Sequence, residues 1–251
     1  MKTSYMRSVA RTLRQNSGFT FVDLLAVIGV VAIFICVQLS AFADAKDRTR
    51  SIQCADNLRQ FTTGTLIYAG ENNGNLPDNV SGSWPLDMPW DAGNAITQFV
   101  SWKALYCPAS GFDENQNNEL WNYNYQFYHV IGYALTFPET QSLDPTNVNH
   151  TITPQSFRVG PLALPPPVAS QRVLFADAIV SKPNQRNESL RDIYDYTKIT
   201  TGFYQPFRTS HLNGVLPAGG NLGMLDGHVE WCVFDKMHVR TIFGGSPTFW
   251  W

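Results

Sequence analysis

Residues 24–37 of this chain carry no polar side chain, and the apolar character continues to residue 43 with Gln38 and Ser40 as the interruptions. As a helix, the whole segment 19–43 would be roughly 37 Å long at about 1.5 Å per residue. A bilayer core of about 30 Å needs about 20 mostly apolar residues to cross it. The segment is therefore long enough to span a membrane once.

The charge balance separates a basic head from an acidic body. The chain has 18 Lys and Arg residues and 20 Asp and Glu residues, which gives a net charge of −2. Lys2, Arg7, Arg11 and Arg14 precede the apolar segment without any acidic residue, so the remaining chain is acidic. This balance argues against a basic nucleic-acid-binding protein, and the four cations are expected to stay in the cytoplasm.

The junction between the basic head and the apolar segment reads GFTFVDLL at residues 18–25. This stretch resembles the cleavage and methylation motif of prepilins, the precursors of type IV pilins and of type II secretion pseudopilins. The resemblance implies that a membrane prepilin peptidase cuts after Gly18 and methylates the new N-terminus at Phe19. Asp23 then takes the place of the fifth-residue glutamate, which pairs with the N-terminal amine of a neighbouring subunit, although aspartate is one methylene shorter.

A second interpretation of the same head is a secretory signal peptide. Ala41-Phe42-Ala43 matches the small-residue pattern that signal peptidase cuts after a basic region and an apolar region. Cleavage there would release a soluble extracellular protein that begins at Asp44. The long basic region and the position of Asp23 at the start of the apolar region favour the prepilin interpretation.

Helical periodicity continues beyond the apolar segment. Apolar residues recur at spacings of three to five positions: Ile52, Ala55, Leu58, Phe61, Leu66 and Ala69. The pattern ends at residues 71–74 (ENNG), and Pro77 lies just beyond. We therefore predict one helix of about 50 residues from Phe19 to Tyr68, with a first half in lipid and an amphipathic second half.

The amphipathic half must cover its apolar face with another element. The rest of the chain is rich in Gly, Pro, Asn and aromatic residues, which favour short strands and loops. We predict an α+β fold in which a long N-terminal helix packs on an antiparallel β-sheet domain, as in pseudopilins. The expected division is a cleaved leader at 1–18, a transmembrane and assembly helix at 19–43, its amphipathic continuation at 44–74, and a globular β-rich domain at 75–251.

Near the C-terminus, Asp226-Gly227 lies between two strand-like segments at 221–225 and 228–233. An Asp-Gly pair in this context predicts a tight hairpin in which both turn residues have positive φ.

The run Asp226-Gly227-His228 also resembles the end of the C-terminal H-X9-DG signature of many bacterial prepilin-like proteins. The resemblance makes His211 the leading histidine of that signature. Fourteen residues separate His211 from Asp226 instead of nine, which implies an insertion of five residues around 215–219.

Aromatic residues crowd the stretch 121–137. The apolar residues share one parity: Trp121, Tyr123, Tyr125, Phe127, Ile131, Tyr133, Leu135 and Phe137. Alternation with a period of two predicts a strand or a hairpin with one strongly aromatic face. That face either packs into the core or remains exposed as a surface for contact with a glycan or a partner.

Cys54, Cys107 and Cys232 would lie in an oxidising compartment after export. We expect a disulfide between Cys54 and Cys107 that pins the helix to the globular domain, and a buried Cys232 in a strand. The chain lacks a C-x-x-C pattern, which argues against a zinc site. The calcium candidates are Asp226 and Glu230, but the EF-hand pattern is absent and the turn already explains Asp226. We therefore expect no metal and no cofactor.

The sequence carries no motif of a hydrolase, a metalloprotease or a nucleotide-binding loop, so we expect no enzymatic activity. The prepilin resemblance implies a structural subunit of a type II secretion pseudopilus or of a type IV pilus-like filament. Such a subunit crosses the bacterial inner membrane once, has a periplasmic domain, and has prepilin peptidase and other pilin or pseudopilin subunits as partners. The alternative is a membrane-anchored or secreted module that binds a glycan or a secreted substrate through an aromatic surface.

Overall fold

The computed structural model describes residues 18, 20–80, 82–200, 203, 206–242 and 247–251, with the backbone alone at 36–45, 157–159 and 163–164. The chain divides into two compact units, Met1–Ala45 and Lys46–Trp251. The α-helices of the described residues are Phe21–Glu71 (α1), Trp90–Ile96 (α2) and Glu114–Trp121 (α3). The strands are Asp87–Pro89 (β1), Tyr128–Val130 (β2), Tyr133–Leu135 (β3), Phe157–Val159 (β4), Leu162–Leu164 (β5), Val173–Asp177 (β6), Ile179–Ser181 (β7), Leu212–Asn213 (β8), Leu216–Pro217 (β9), Gly219–Met224 (β10), Val229–Val233 (β11) and Thr248–Trp250 (β12).

Helix α1 is 51 residues long and ends at the stop signal read from the sequence. Asn73 and Gly74 have φ angles of 56° and 80°, in the left-handed region that ends a helix. The N–H of Gly74 donates a hydrogen bond to the carbonyl of Ala69 at 2.7 Å. The N–H of Asn72 donates to the same carbonyl at 3.0 Å, so two donors satisfy this carbonyl in the last turn of the helix.

Within residues 46–71, α1 buries one stripe of side chains. The buried residues are Cys54, Leu58, Phe61, Thr62, Thr65 and Ala69. The sequence pattern is correct for Leu58, Phe61 and Ala69 but wrong for Ile52, whose side chain is 62% exposed. Ile52 precedes Leu58 by six residues, or about 240° around a helix, so the two residues lie on different faces.

Among the described strands, the largest sheet has four antiparallel strands in the order β11-β10-β6-β3. The buried stripe of α1 packs on this sheet, and the ring of Phe61 stacks on Phe175 of β6 with centroids 3.9 Å apart. Gly223 of β10 permits the close approach, because a Cβ at that position would lie 2.5 Å from the hydroxyl oxygen of Thr62. The protein is therefore α+β with antiparallel sheets, as predicted.

The apolar end of the chain packs on the domain. Strand β12 pairs with β7 in antiparallel register. Trp250 of β12 is fully buried, and its indole N–H donates a hydrogen bond to Ser181 Oγ at 2.9 Å. The ring of Phe234 lies edge-on to Trp250 with centroids 6.0 Å apart, so the two rings belong to one buried aromatic cluster.

The alternating aromatic stretch 121–137 is not a continuous strand or hairpin, so that prediction is wrong for its first half. The segment 121–127 contains the end of α3 and the turns that follow it, and strands begin only with β2. A capping box explains the helix: Asp113 accepts a hydrogen bond from the N–H of Gln116, and the Gln116 side chain accepts one from the N–H of Asp113. The helix that this cap starts ends at Trp121, the first residue of the alternating pattern, and the turns follow it.

Candidate functional site

The N-terminal motif lies at the start of α1. Asp23 Oδ2 accepts hydrogen bonds from the backbone N–H of Thr20 at 2.9 Å and from its hydroxyl at 2.8 Å. The N–H of Asp23 donates to Thr20 Oγ1 at 3.3 Å, which completes a reciprocal helix cap. Gly18 is exposed, and Phe19 lies outside the described residues. The roles of these residues in processing and assembly stay predictions.

The first turns of α1 expose apolar side chains on every face. All residues from Phe21 to Ile35 are exposed, including Phe21 at 74% and Ile33 at 67%. A helix that is apolar all round normally lies within a protein core or within lipid. No helix in the described part of the chain is both long and apolar enough to pass through a bilayer.

Cys54 of α1 and Cys107 form a disulfide that joins residues 53 positions apart, the pairing favoured from the sequence. Their Cα atoms are 4.8 Å apart, and both side chains are buried. Two further hydrogen bonds brace the junction: Asn57 Nδ2 donates to the Tyr106 carbonyl at 3.1 Å, and the Tyr133 hydroxyl donates to the Cys54 carbonyl at 3.3 Å.

Cys232 is a free cysteine, and its side chain is only partly buried in β11. The expectation of a buried Cys232 is therefore wrong. Strand β11 lies at the edge of the four-stranded sheet, so it has a neighbouring strand on one side only. An edge strand leaves its side chains less covered than a central one.

A buried carboxylate lies beside the disulfide. Asp177 follows Phe175 by two positions in β6, so its side chain is on the same face of the sheet, under α1. Its Oδ2 atom accepts hydrogen bonds from the N–H of Asn221 at 2.6 Å, from Asn221 Nδ2 at 2.8 Å and from His211 Nε2 at 2.8 Å. Asp177 is 1% exposed, and its Oδ1 atom has no hydrogen-bond partner in the described residues.

His211 connects this carboxylate to the disulfide. Its Nε2 atom, 2.8 Å from Asp177 Oδ2, also lies 3.4 Å from Cys107 Sγ. The residue has a φ angle of 54°, which few non-glycine residues adopt. Its ring packs edge-on to Trp231 with centroids 5.2 Å apart. The leading histidine of the resemblance is thus a buried residue at the contact of α1, the Cys107 loop and the sheet.

The segment that follows His211 forms a small hairpin of β8 and β9. The N–H of Ala218, just after this hairpin, donates to the carbonyl of His211 at 2.9 Å. The hairpin therefore begins and ends beside His211. The insertion expected around 215–219 stays a prediction; these residues contain part of the hairpin turn, β9 and the first residue of β10.

The Asp226-Gly227 turn joins β10 to β11 as predicted, but its geometry differs. Gly227 has a φ angle of 96°, whereas Asp226 is not in the positive-φ region. The N–H of Met224 donates to the carbonyl of His228 at 2.8 Å, so the loop has three residues and one left-handed glycine is sufficient. The prediction of positive φ at both residues is therefore wrong.

The Asp226 carboxylate is engaged within its own turn. Its Oδ1 atom accepts hydrogen bonds from the N–H of His228 at 3.2 Å and from His228 Nδ1 at 2.6 Å. His228 Nε2 lies 3.9 Å from Glu230 Oε2. This arrangement gives Asp226 a structural role in the turn, and the expectation that Asp226 and Glu230 hold no calcium ion stays a prediction.

In the described residues, one group could hold a metal ion: ligand atoms of Cys54, Cys107, Asp177 and His211 all lie within 4.8 Å of one another. The two sulfur atoms are bonded to each other, whereas metals bind thiolates. His211 and Asp177 meanwhile hydrogen-bond to each other. In its oxidised form, the group therefore acts as a structural junction between helix and sheet.

Exposure divides the aromatic stretch into two parts. Tyr123, Tyr125 and Phe127 are 42%, 65% and 58% exposed, whereas Tyr133 and Phe137 are fully buried. The core interpretation is thus confirmed for Tyr133 and Phe137, whereas contact of the exposed rings with a glycan or a partner stays a prediction.

A cavity of about 280 Å³ lies beside the exposed rings, and Tyr123 and Tyr128 line it together with Asp87. Asp87 is 6% exposed, and its Oδ2 atom accepts hydrogen bonds from the N–H groups of Ser83 at 2.8 Å and Trp84 at 2.9 Å. Burial raises the pKa of Asp87 to about 6, because the loss of water outweighs these two hydrogen bonds.

Three residues of these sites, Asp87, Asp177 and Asn221, were not singled out from the sequence. Asp177 has a recognisable signal, since it ends the apolar strand VLFAD and a carboxylate in such a strand needs buried donors. Asp87 and Asn221 have weaker signals, because each lies among Gly and Pro residues typical of loops.

Fold and site define an α+β protein in which one long helix packs on an antiparallel sheet, a disulfide joins that helix to Cys107, and a buried carboxylate of the sheet binds His211. No family model, no curated protein and no solved structure matches this chain. The resemblances at 18–25 and 226–228 therefore depend on the motifs alone.

Proposed function

We propose that the protein is a prepilin-like structural subunit of a type II secretion pseudopilus or of a type IV pilus-like filament. The observation that carries this proposal is the helix segment from Phe21 to Ile35, whose side chains are exposed on every face. Removing apolar surface from water is worth about 25 cal/mol per Å². Lipid around a single subunit, and the helices of neighbouring subunits in a filament, would both cover this segment.

The motif before the segment supports the same proposal. Cleavage after Gly18 would create a positively charged amine at Phe19, close to the Asp23 carboxylate. Asp23 Oδ2 is bound by Thr20, whereas Oδ1 accepts no hydrogen bond within the described residues. This oxygen is available for the amine of a neighbouring subunit, and such a charged hydrogen bond is stronger than a neutral one.

The attachment of the helix to the domain suits a subunit that assembles into a filament through its helix. The part of α1 at 46–71 is attached to the domain by its buried stripe and by the Cys54–Cys107 disulfide. Movement of the helix into a filament would therefore carry the whole domain with it. In this proposal the helix starts in the inner membrane, and the domain is periplasmic.

Processing of the N-terminus tests the proposal. The full chain, produced in a bacterium that has a prepilin peptidase, is expected to begin at an N-methylated Phe19 when its N-terminal peptide is analysed by mass spectrometry. Gly18→Val should leave the basic leader attached, because the family's peptidase cuts after this glycine. The matched change Ala43→Val should leave processing unchanged. A mature chain that begins at Asp44, or an intact Met1, would contradict the proposal.

The exposed rings favour a second candidate function, a module that binds a glycan or a secreted substrate. Tyr125 and Phe127 are 65% and 58% exposed, and large aromatic rings dominate many binding interfaces. Joint substitution of both by alanine should abolish signals on a glycan array. Ile193→Ala, at another exposed apolar residue, should leave them unchanged. Equal signals for the two variants would count against this function.

A further inference from the structure

The cavity beside β2 has a lining that the proposed filament function does not use. Its aromatic residues are Trp84, Tyr123, Tyr128, Phe203 and Phe207. The rings of Tyr123 and Phe203 lie edge-on with centroids 5.9 Å apart. Aromatic faces carry negative electrostatic potential and attract a cation within about 6 Å of the ring centre. The lining therefore favours a positively charged ligand with apolar substituents.

Asp87 is the one charged residue among the described residues that line the cavity. Its position is fixed, because β1 pairs it with Val130 of β2. While Oδ2 holds the turn through Ser83 and Trp84, Oδ1 accepts no hydrogen bond from the described residues. The raised pKa reflects the same situation, a carboxylate that has lost water without gaining a positive partner.

We propose that this cavity binds a small organic cation, a quaternary ammonium or protonated amine group, with Asp87 as its counter-ion and the rings of Trp84 and Tyr128 against its alkyl groups. The volume of about 280 Å³ is near the lower limit of ligand pockets, which is roughly 300 Å³, so it suits a small molecule and not a polymer.

Other ligand classes fit the lining less well. A hard metal ion needs roughly six oxygen ligands, whereas Asp87 offers one unbonded carboxylate oxygen. A neutral sugar of the same size needs several hydrogen-bonding groups, and most of the lining is apolar aromatic surface. An organic cation needs only one charge and apolar walls, which this cavity supplies.

Choline and its neutral carbon analogue 3,3-dimethylbutan-1-ol provide a matched pair of probes, because they have nearly the same shape and differ in charge. Binding of each to the full-length chain in detergent can be measured by isothermal titration calorimetry. We expect choline to bind at least about tenfold more tightly than the neutral analogue. Equal affinity for the two probes, or no binding of choline, would overturn the proposal.

Variants distinguish the contribution of the Asp87 charge to choline binding from that of the aromatic rings. Asp87→Asn retains an oxygen for the N–H groups of Ser83 and Trp84, and it should weaken choline binding about tenfold without changing binding of the neutral analogue. Ile193→Ala, at an exposed residue that does not line the cavity, should leave both affinities unchanged. Unchanged choline binding by Asp87→Asn would contradict the assignment of the counter-ion.

If Asp87→Asn does not fold, Tyr128→Leu carries the test, because it keeps an apolar wall but removes the ring. This variant should bind choline about threefold more weakly, and unchanged binding would overturn the proposal. A chito-oligosaccharide that binds where choline does not would also overturn it and would support the second candidate function. None of these outcomes depends on how the N-terminus is processed, so they are independent of the filament proposal.

Discussion

Substitution of both Cys54 and Cys107 by alanine is expected to lower the free energy of unfolding by about 4 kcal/mol. The disulfide closes a loop between residues 53 positions apart, and its loss gives the unfolded chain many more conformations. Urea unfolding of the full-length chain in detergent, followed by tryptophan fluorescence, measures the effect. The midpoint of unfolding should shift to clearly lower urea concentration.

The free cysteine provides the control for this experiment. Cys232→Ala removes a thiol that is only partly buried and unpaired, so its effect should stay below about 1 kcal/mol. Wild-type chain treated with a dithiol reductant should unfold like the double variant. A double variant that unfolds at the wild-type urea concentration would show that the disulfide does not stabilise the fold.

Asp177→Ala is expected to destabilise the protein by about 3–5 kcal/mol, an effect as large as that of the disulfide. The change would leave the N–H of Asn221 and the ring nitrogen of His211 buried without their acceptor. It would also leave a gap under α1 beside Cys54. The same urea experiment measures the loss, and the change in thermal midpoint provides a second readout.

Two matched variants identify the cause of that loss. Asp177→Asn keeps the shape and one acceptor oxygen, so it should retain part of the stability that alanine removes. Asp226→Ala removes an exposed carboxylate that also bonds a histidine, and its cost should stay below about 1 kcal/mol. Equal effects of the alanine changes at Asp177 and Asp226 would contradict a special role for the buried carboxylate.

The elements that could be predicted from the sequence have local signals. The stop of α1 at Asn73 and Gly74 and the hairpin at Asp226-Gly227 both depend on residues that favour left-handed backbone. The buried stripe was predicted at Leu58 and Phe61 because helical spacing is also a local property.

The cluster around Asp177 could not be predicted in the same way, because its residues come together only through the order of the strands in the sheet. Asp177 and Asn221 are 44 positions apart and meet only because β6 pairs with β10. Hydrophobic patterning identifies strands but does not specify which strands become neighbours. The pairing of Cys54 with Cys107 was easier to anticipate, since few cysteines were available.

The aromatic stretch shows how a correct pattern can lead to a wrong element. Aromatic and polar residues do alternate over 121–127, but the residues just before this segment form α3, which Asp113 caps. Turns then place Tyr123, Tyr125 and Phe127 at the surface, whereas Tyr133 enters the core. The pattern therefore coincides with a strand only at Tyr133 and Leu135 of β3, and that strand is buried at all three of its residues.

The disulfide also determines which part of the chain would bear a mechanical load. A pull between the start of α1 and β12 would pass from Cys54 to Cys107 through the sulfur–sulfur bond. The residues between them form a closed loop outside the loaded path, so α2 and β1 would not be stretched. An unfolded oxidised chain would reach about 180 Å less far than a reduced one, at about 3.3–3.6 Å per residue. Single-molecule extension would therefore report the redox state of the protein directly as a length.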